Sequence, residues 1–320
     1  MIRLGIIGTG RIAKRFVYDA WQEFDVEIVA VYNPHEDSVR NFCAETNLEC
    51  TYLNWREFVN EIDAAYVASP TGTHFEYVDK LLHSGIHVLC EKPMVLSKEQ
   101  AEYLYELAEK MKCVLMEGIK TAYCPGFLEV LDIINQGKIG KVQDVEACFT
   151  KIVDLKCREW THIKDCGSMT ELGTYGCYAV IKILGCDFSD VRFVSIRDEN
   201  GVDAYTKVFF EYENNVLGLV KTGIGVKSEG ELIIAGTKGY ILVKAPWWLT
   251  RCVEIHYEDQ TKTEVYNYEY IGNGLQYELG YFLGKIQDLD LPNMVTREQS
   301  VAIAEIMQKF LEKESIYRRN

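Results

Sequence analysis

The chain has 320 residues and a formal net charge of −14, from 34 Lys and Arg against 48 Asp and Glu. A single hydrophobic core stops growing near ~250 residues, so the length predicts two domains. The acidic balance disfavours nucleic acid and anionic lipid as partners, and no apolar run approaches the ~18 residues of a membrane span.

Hydrophobic residues at 48% and charged residues at 26% are the composition of a globular chain. Met1-Ile2-Arg3 leads straight into a strand, which leaves no room for a signal peptide and predicts a soluble, cytoplasmic protein. The 11 cysteines are scattered without a Cys-x-x-Cys pair, and none of the six histidines stands at zinc-finger spacing from such a pair. Reduced thiols are expected, with neither a structural metal nor a disulfide scaffold.

The first 118 residues alternate strand and helix signals. Leu4–Gly8 is a short apolar run, and the amphipathic stretch Ile12–Trp21 follows it. Val26–Tyr32, Ala64–Ala68, Ile86–Cys90 and Cys113–Met116 read as further strands, with Ser38–Thr46, Thr73–Ser84 and Lys98–Met111 as helices. Apolar strands separated by helices predict a Rossmann-type α/β domain, a doubly wound parallel sheet covered on both faces. Beyond residue 120 the pattern changes. Helices are expected at Gly126–Gln136 and Met169–Ile183, and strands at Val142–Val153 and in seven runs from Val191 to Tyr268. Helices at Gln276–Gln287 and Arg297–Glu312 close the chain. That is an α+β domain with a largely antiparallel, open-faced sheet. The expected division is 1–120 for an NAD(P)-binding domain and 121–320 for a substrate-binding and oligomerisation domain. An apolar open face, carrying Tyr205, Phe209 and Val216 or their alternates, predicts a homodimer or homotetramer.

Gly8-Thr9-Gly10-Arg11-Ile12-Ala13 joins the first strand to the first helix. Gly8 permits the tight turn and Gly10 lets the backbone approach a pyrophosphate. Ala13 lets the helix pack closely, and the helix N-terminus offers N–H donors to an anion. The second strand ends at Asn33, where an acid would select NAD. Asn33 can bond a ribose hydroxyl but does not repel a 2′-phosphate, so either NAD or NADP is compatible. Ser69-Pro70-Thr71 and His74 end the next strand, and Glu91-Lys92-Pro93 the one after it. The carboxyl ends of such strands line the ligand crevice, which would point Lys92 at a nicotinamide; an exposed loop lysine is the other reading. His74 could flank the cofactor or cap the helix that it starts.

Taken together, these three motifs closely resemble the Gfo/Idh/MocA oxidoreductases, relatives of glucose–fructose oxidoreductase and inositol dehydrogenase. Met116-Glu117-Gly118 is similar to the family's crossing into the second domain, Gly167–Tyr175 to its glycine turn and catalytic helix, and Gly274–Glu278 to its late helix start. The resemblance implies catalytic roles for Lys92, Tyr175 and Glu171: Tyr175 as acid or base, Lys92 assisting proton transfer, and Glu171, one turn earlier, contacting substrate or orienting the base. It implies Gly8, Thr9, Gly10, Arg11, Ile12, Asn33, Ser69, Pro70, Thr71, His74, Glu91 and Lys92 as cofactor contacts, and a sharp turn with a cis Lys92–Pro93 bond. Should Tyr175 not carry the proton, His162 or Glu171 is next in line. The implied substrate is a secondary alcohol or ketone of a sugar, polyol or related small molecule. A dihydrodiol or dicarbonyl reductase and a non-catalytic nucleotide-binding regulator are the alternatives. Glu171 stands where Asp is usual, Cys166-Gly167-Ser168 replaces a run of glycines, and Ala122 stands where several relatives carry Arg. Arg158 and Trp160 could line the pocket or belong to a surface loop.

Overall fold

Strand and helix alternate through the first part of the chain because short, β-branched apolar runs are punctuated by amphipathic ones. The elements are β1 (Ile2–Ile7), α1 (Arg11–Ala20), β2 (Val26–Tyr32), α2 (Glu36–Thr46), α3 (Trp55–Glu61), β3 (Ala64–Val67), α4 (His74–His83), β4 (His87–Glu91), α5 (Lys98–Met111) and β5 (Leu115–Gly118). The computed structural model describes residues 1–20, 26–49, 53–161 and 166–317. Trp21 and His162 lie outside them. The five strands form one parallel sheet in the order β2-β1-β3-β4-β5. β3 is buried at every position, as a strand covered on both faces must be.

Helix α3 has no counterpart among the predicted elements. Its signal is a capping box: Asn54 accepts from the Glu57 backbone N–H, and the Glu57 side chain accepts from the Asn54 N–H. Only one turn of apolar residues follows that box, too few for periodicity to register.

The second part holds α6 (Pro125–Asn135), β6 (Val142–Thr150), α7 (Arg158–Thr161), α8 (Thr174–Leu184), β7 (Phe188–Arg197), β8 (Asp203–Tyr212), β9 (Leu217–Gly223), β10 (Leu232–Gly236), β11 (Gly239–Val243), β12 (Cys252–Tyr257) and β13 (Glu264–Asn267). Helices α9 (Leu275–Ile286) and α10 (Arg297–Tyr317) end the described chain. The eight strands lie in the order β13-β12-β11-β10-β6-β9-β8-β7, antiparallel except for the β6–β9 pair. Helix α8 packs on that parallel pair, where a Cβ on Gly176 would come 2.5 Å from Val220.

Alternation along these strands buries one face, with Val145, Val208, Val220, Ile234, Ile241 and Ile255 inside. Val194, Ile196 and Leu217 stand exposed on the other. Val216 is buried, so its neighbour Leu217 takes the outward position expected of it; the period of two moves a side chain across the sheet with each residue.

The chain divides into two compact units, Met1–Tyr123 with Ile271–Ala304, and Cys124–Tyr270 with Glu305–Asn320. A single cut at residue 120 does not anticipate the return of residues 271–304. Buried polar groups fasten it. Asp19 on α1 accepts from the backbone N–H groups of Asn273 and Leu275 at 3.0 and 3.1 Å. Glu117 at the end of β5 accepts from the Ser300 hydroxyl at 2.5 Å and from the Met94 N–H at 2.9 Å. Nine cysteines among the described residues are free thiols, but Cys43 is disulfide-bonded, a correction to the expectation of reduced cysteines throughout.

Burial pushes the Glu117 carboxyl up to about 7 from its ordinary 4.5. The folded chain therefore keeps a proton that the unfolded chain releases. Stability from this group is full below pH 4.5 and is lost as pH rises to about 7, by up to about 3 kcal/mol. Glu117→Gln has no such proton. Denaturant unfolding across this range should show wild type losing stability relative to the variant as pH rises; parallel curves would contradict the assignment.

Candidate active site

The loop between β1 and α1 is built around Gly8, whose φ is +100° and whose N–H donates to the Tyr32 carbonyl at 3.0 Å. A Cβ there would meet the Ala68 carbonyl oxygen at 2.6 Å, so the turn requires glycine. A Cβ on Gly10 would meet nothing within 4 Å, which leaves open space above the start of α1. The first turn of that helix carries no acidic side chain, so its N-terminal N–H groups and positive dipole end are available to an anion. Thr9 and Ile12 are half-buried and Arg11 is exposed beside this space. Ala13 is buried, and Phe16 stacks on Tyr66 of β3 with ring centroids 3.7 Å apart. This cradle fits a dinucleotide pyrophosphate.

Asn33 follows β2. Its amide donates to the Thr9 hydroxyl at 3.0 Å, and its carbonyl accepts from the His35 N–H at 3.0 Å. The side chain therefore links the glycine turn to the loop after β2, with one amide hydrogen left over.

After β3, Ser69, Pro70 and Thr71 enter a 3-10 turn, tied by the Thr73 hydroxyl to Ser69 Oγ at 2.8 Å and to the Pro70 carbonyl at 2.7 Å. His74 does not cap the helix that it starts. It is buried, with Nδ1 3.1 Å from the Pro93 carbonyl oxygen and Nε2 2.8 Å from that of Ser69. Burial lowers its pKa although both carbonyls favour the proton. Its ring thus clamps together the turns that follow β3 and β4.

At the end of β4 the Lys92–Pro93 bond is cis. Glu91 is buried and accepts from the Tyr66 hydroxyl at 2.5 Å, while Lys92 is half-buried with its backbone N–H 3.3 Å from the Glu91 carboxylate. Burial raises the Glu91 carboxyl, and Lys92 and Lys120 oppose that rise. In this unit the loops at the carboxyl ends of the parallel strands carry Gly8–Ile12, Asn33, Ser69–His74 and Glu91–Lys92, as the crevice rule for such sheets requires.

The second unit presents its own set. Gly167 has φ +127°, and a Cβ on it would fall 1.9 Å from Asp203 Oδ1. Asp203 is buried and accepts from the Ser168 hydroxyl at 2.7 Å, the Met169 N–H at 2.8 Å and the Thr206 hydroxyl at 3.1 Å. It anchors the start of the helix that carries Glu171 and Tyr175. That helix opens with a π-turn over Met169–Gly173 before α8 begins, so the simple four-residue spacing expected between Glu171 and Tyr175 crosses a widened turn. Glu171 is half-buried and Tyr175 is 8% exposed. Beside Tyr175 lies Phe149, ring centroids 5.3 Å apart, and Phe149 stacks on the half-buried Trp248 at 3.5 Å. Trp160 is buried against Val202, Ala204 and Ile224, which places it in the core rather than in a surface loop.

Asp203, Glu117 and the Phe149–Trp248 stack were missed from sequence because each depends on a partner distant in the chain. Among the described residues no cluster of three His, Cys, Asp or Glu could hold a metal ion, and no helix is long and apolar enough to cross a membrane.

Residues 2–119 match the model of an oxidoreductase family with an NAD-binding Rossmann fold, and residues 127–242 that of the GFO/IDH/MocA C-terminal domain. The chain is 29% identical over 269 residues to a scyllo-inositol 2-dehydrogenase (NADP(+)) of Bacillus subtilis, covering 81% of this chain and 80% of that one. It is 26% identical over 319 residues to a trans-1,2-dihydrobenzene-1,2-diol dehydrogenase of Xenopus laevis, covering 96% of each. In fold it is similar to KijD10, a 3-ketoreductase from Actinomadura kijaniata solved with NADP and TDP-benzene, with a TM-score of 0.81, 22% identity, and coverage of 96% and 95%. On the glycine cradle, the Glu-Lys-Pro turn and the match of both parts, the chain belongs to the Gfo/Idh/MocA family of NAD(P)-dependent oxidoreductases.

Proposed function

We propose that the protein transfers a hydride between a nicotinamide cofactor and a secondary alcohol or ketone of a sugar, polyol or related small molecule. The observation that carries this reading is Lys92 at the carboxyl end of β4, in the same unit as the open glycine cradle between β1 and α1. Gly8, Thr9, Gly10, Arg11 and Ile12 would hold the pyrophosphate and Asn33 the adenosine ribose. Ser69, Pro70, Thr71, His74, Glu91 and Lys92 would frame the nicotinamide end. When bound, the cofactor supplies hydride chemistry at its nicotinamide ring.

Tyr175 exchanges the proton of the substrate hydroxyl. Lys92 assists that transfer by its positive charge and by renewing the proton, and Glu171 orients the substrate. Asp203 holds the turn from which Glu171 and Tyr175 project. The stacked Phe149 and Trp248 offer a flat apolar wall beside Tyr175, suited to the carbon face of a ring. That wall, and the dihydrodiol dehydrogenase relative, favour a second reading in which dihydrodiols or dicarbonyls are reduced or oxidised. Turnover of NADH and NADPH against sugars, polyols, dihydrodiols and dicarbonyls decides between them.

Nine free thiols among the described residues support a reducing, cytoplasmic setting, and the Cys43 disulfide is the feature that argues against it. The exposed Val194, Ile196 and Leu217 support pairing of subunits through the open sheet face. Light scattering at micromolar concentration should give a dimer or tetramer; a monomer mass would refute it.

Lys92→Met keeps bulk without charge, and Tyr175→Phe keeps the ring without its proton. Each should lower kcat at least about 10²-fold while cofactor affinity changes far less, and the double loss should be sub-additive. A Tyr175→Phe enzyme of near-normal kcat, with chemistry rate-limiting, would move the role elsewhere. Asn33→Asp can still accept from the His35 N–H, the Thr9 hydroxyl would turn from acceptor to donor, and the added charge repels a 2′-phosphate. The ratio of kcat/KM for NAD over NADP should rise by about 1–2 kcal/mol equivalent; an unchanged ratio would show that the 2′ position is read by other residues.

A further inference from the structure

Glu278 on α9 is fully buried, and neither of its carboxyl oxygens has a hydrogen-bond partner. The other buried acids of the same unit are satisfied: Asp19 by Asn273 and Leu275, Glu91 by Tyr66, Glu117 by Ser300 and Met94. A carboxylate buried without protein donors is strongly disfavoured, so Glu278 rests as the neutral acid. Its surroundings are charged. Burial raises the Glu278 carboxyl, the charges of Glu91 and Asp19 raise it further, and those of Lys120 and Lys92 oppose the rise. Gly118, the register partner of Glu91 across β4 and β5, adjoins the carboxyl, since a Cβ there would lie in van der Waals contact, 3.5 Å from both Glu278 oxygens. An apolar side chain would fill this volume at lower cost. The carboxyl is therefore a candidate for chemistry.

We propose that Glu278 is the proton store behind Lys92, acting through the Glu91 carboxylate. The proposal rests on Lys92 assisting proton transfer to the substrate, as read above. In the reductive direction Lys92 gives up a proton as the substrate carbonyl becomes a hydroxyl. The Glu278 O–H bond then breaks and an O–H bond forms on Glu91; that bond breaks in turn and an N–H bond forms on the Lys92 amine. One proton moves, no electrons change hands, and Glu278 is left as a carboxylate that the charges of Lys120 and Lys92 favour. The transient charge is thus matched where it forms, which is what a low-dielectric interior requires. Oxidation runs the same path backwards. Glu278 is a positioning residue in this scheme, since it touches neither substrate nor cofactor.

Glu278→Gln keeps the shape and neutrality of the resting acid but has no acidic proton, so a merely structural Glu278 would tolerate it without kinetic effect. Infrared spectra of wild type and variant should differ by loss of a neutral carboxylic acid band, without substrate or cofactor present. Melting temperature and NADPH affinity should be retained. With an accepted ketone substrate, kcat should fall about tenfold, less than the roughly 10²–10⁴-fold of a directly acting acid or base, and the pH profile of kcat should change shape. Glu278→Asp, which restores an acid, should recover part of the rate. A variant with an unchanged infrared spectrum, or with wild-type kcat and pH profile, would overturn the proposal. A wild type that turns over no substrate at all would instead overturn the functional reading and this proposal with it.

Discussion

The carboxylate of Asp19 lies buried on α1 and gathers the Asn273 N–H, the Asn273 side-chain amide and the Leu275 N–H. Four N–H groups at the start of any helix lack an intrahelical partner, and α9 has only Gly274 at its cap, with no side chain to supply one. Asp19 supplies it from 254 residues away. The return of the chain to its first unit follows from that satisfied charge. With α9 fixed, the Glu278 carboxyl lies beside Gly118, and Lys120 donates to the Asn273 carbonyl at 2.8 Å. This part of the first unit is thus assembled from both ends of the sequence.

Asp203 plays the corresponding part in the second unit. A buried carboxylate receives the hydroxyls of Ser168 and Thr206 and the N–H of Met169, and the approach is so close that only glycine fits at 167. The three accepted bonds compensate the loss of solvation and fix where the helix of Glu171 and Tyr175 begins. The π-turn then carries one extra residue into the start of that helix and resets which side chains share a face. In each unit a buried acid sets the origin of a helix, α9 in the first and the helix of Glu171 and Tyr175 in the second.

The two units differ in electrostatic character, each taken by itself. In the first unit burial raises the carboxyls of Glu91, Glu117 and Glu278, with Glu117 taken up to about 7. The wall of Phe149 and Trp248 beside Tyr175 carries no charge of its own.

The sequence by itself determined the features whose causes are local. The parallel sheet, the glycine turn at Gly8 and the position of Lys92 after β4 follow from period, composition and turn chemistry within a few residues. The cis Lys92–Pro93 bond was expected from the family resemblance and is present. Helix α3 was legible in its capping box but too short for its apolar pattern to register. Tertiary structure alone decided the return of residues 271–304, the burial of Val216 rather than Leu217, and the part that His74 plays as a clamp. It also decided that Glu278 would stand without a partner among charged neighbours. These outcomes depend on pairs such as Asp19 with Asn273 and Ser300 with Glu117. Local patterning records which face of an element is apolar; it does not record which distant donor will satisfy a buried carboxylate.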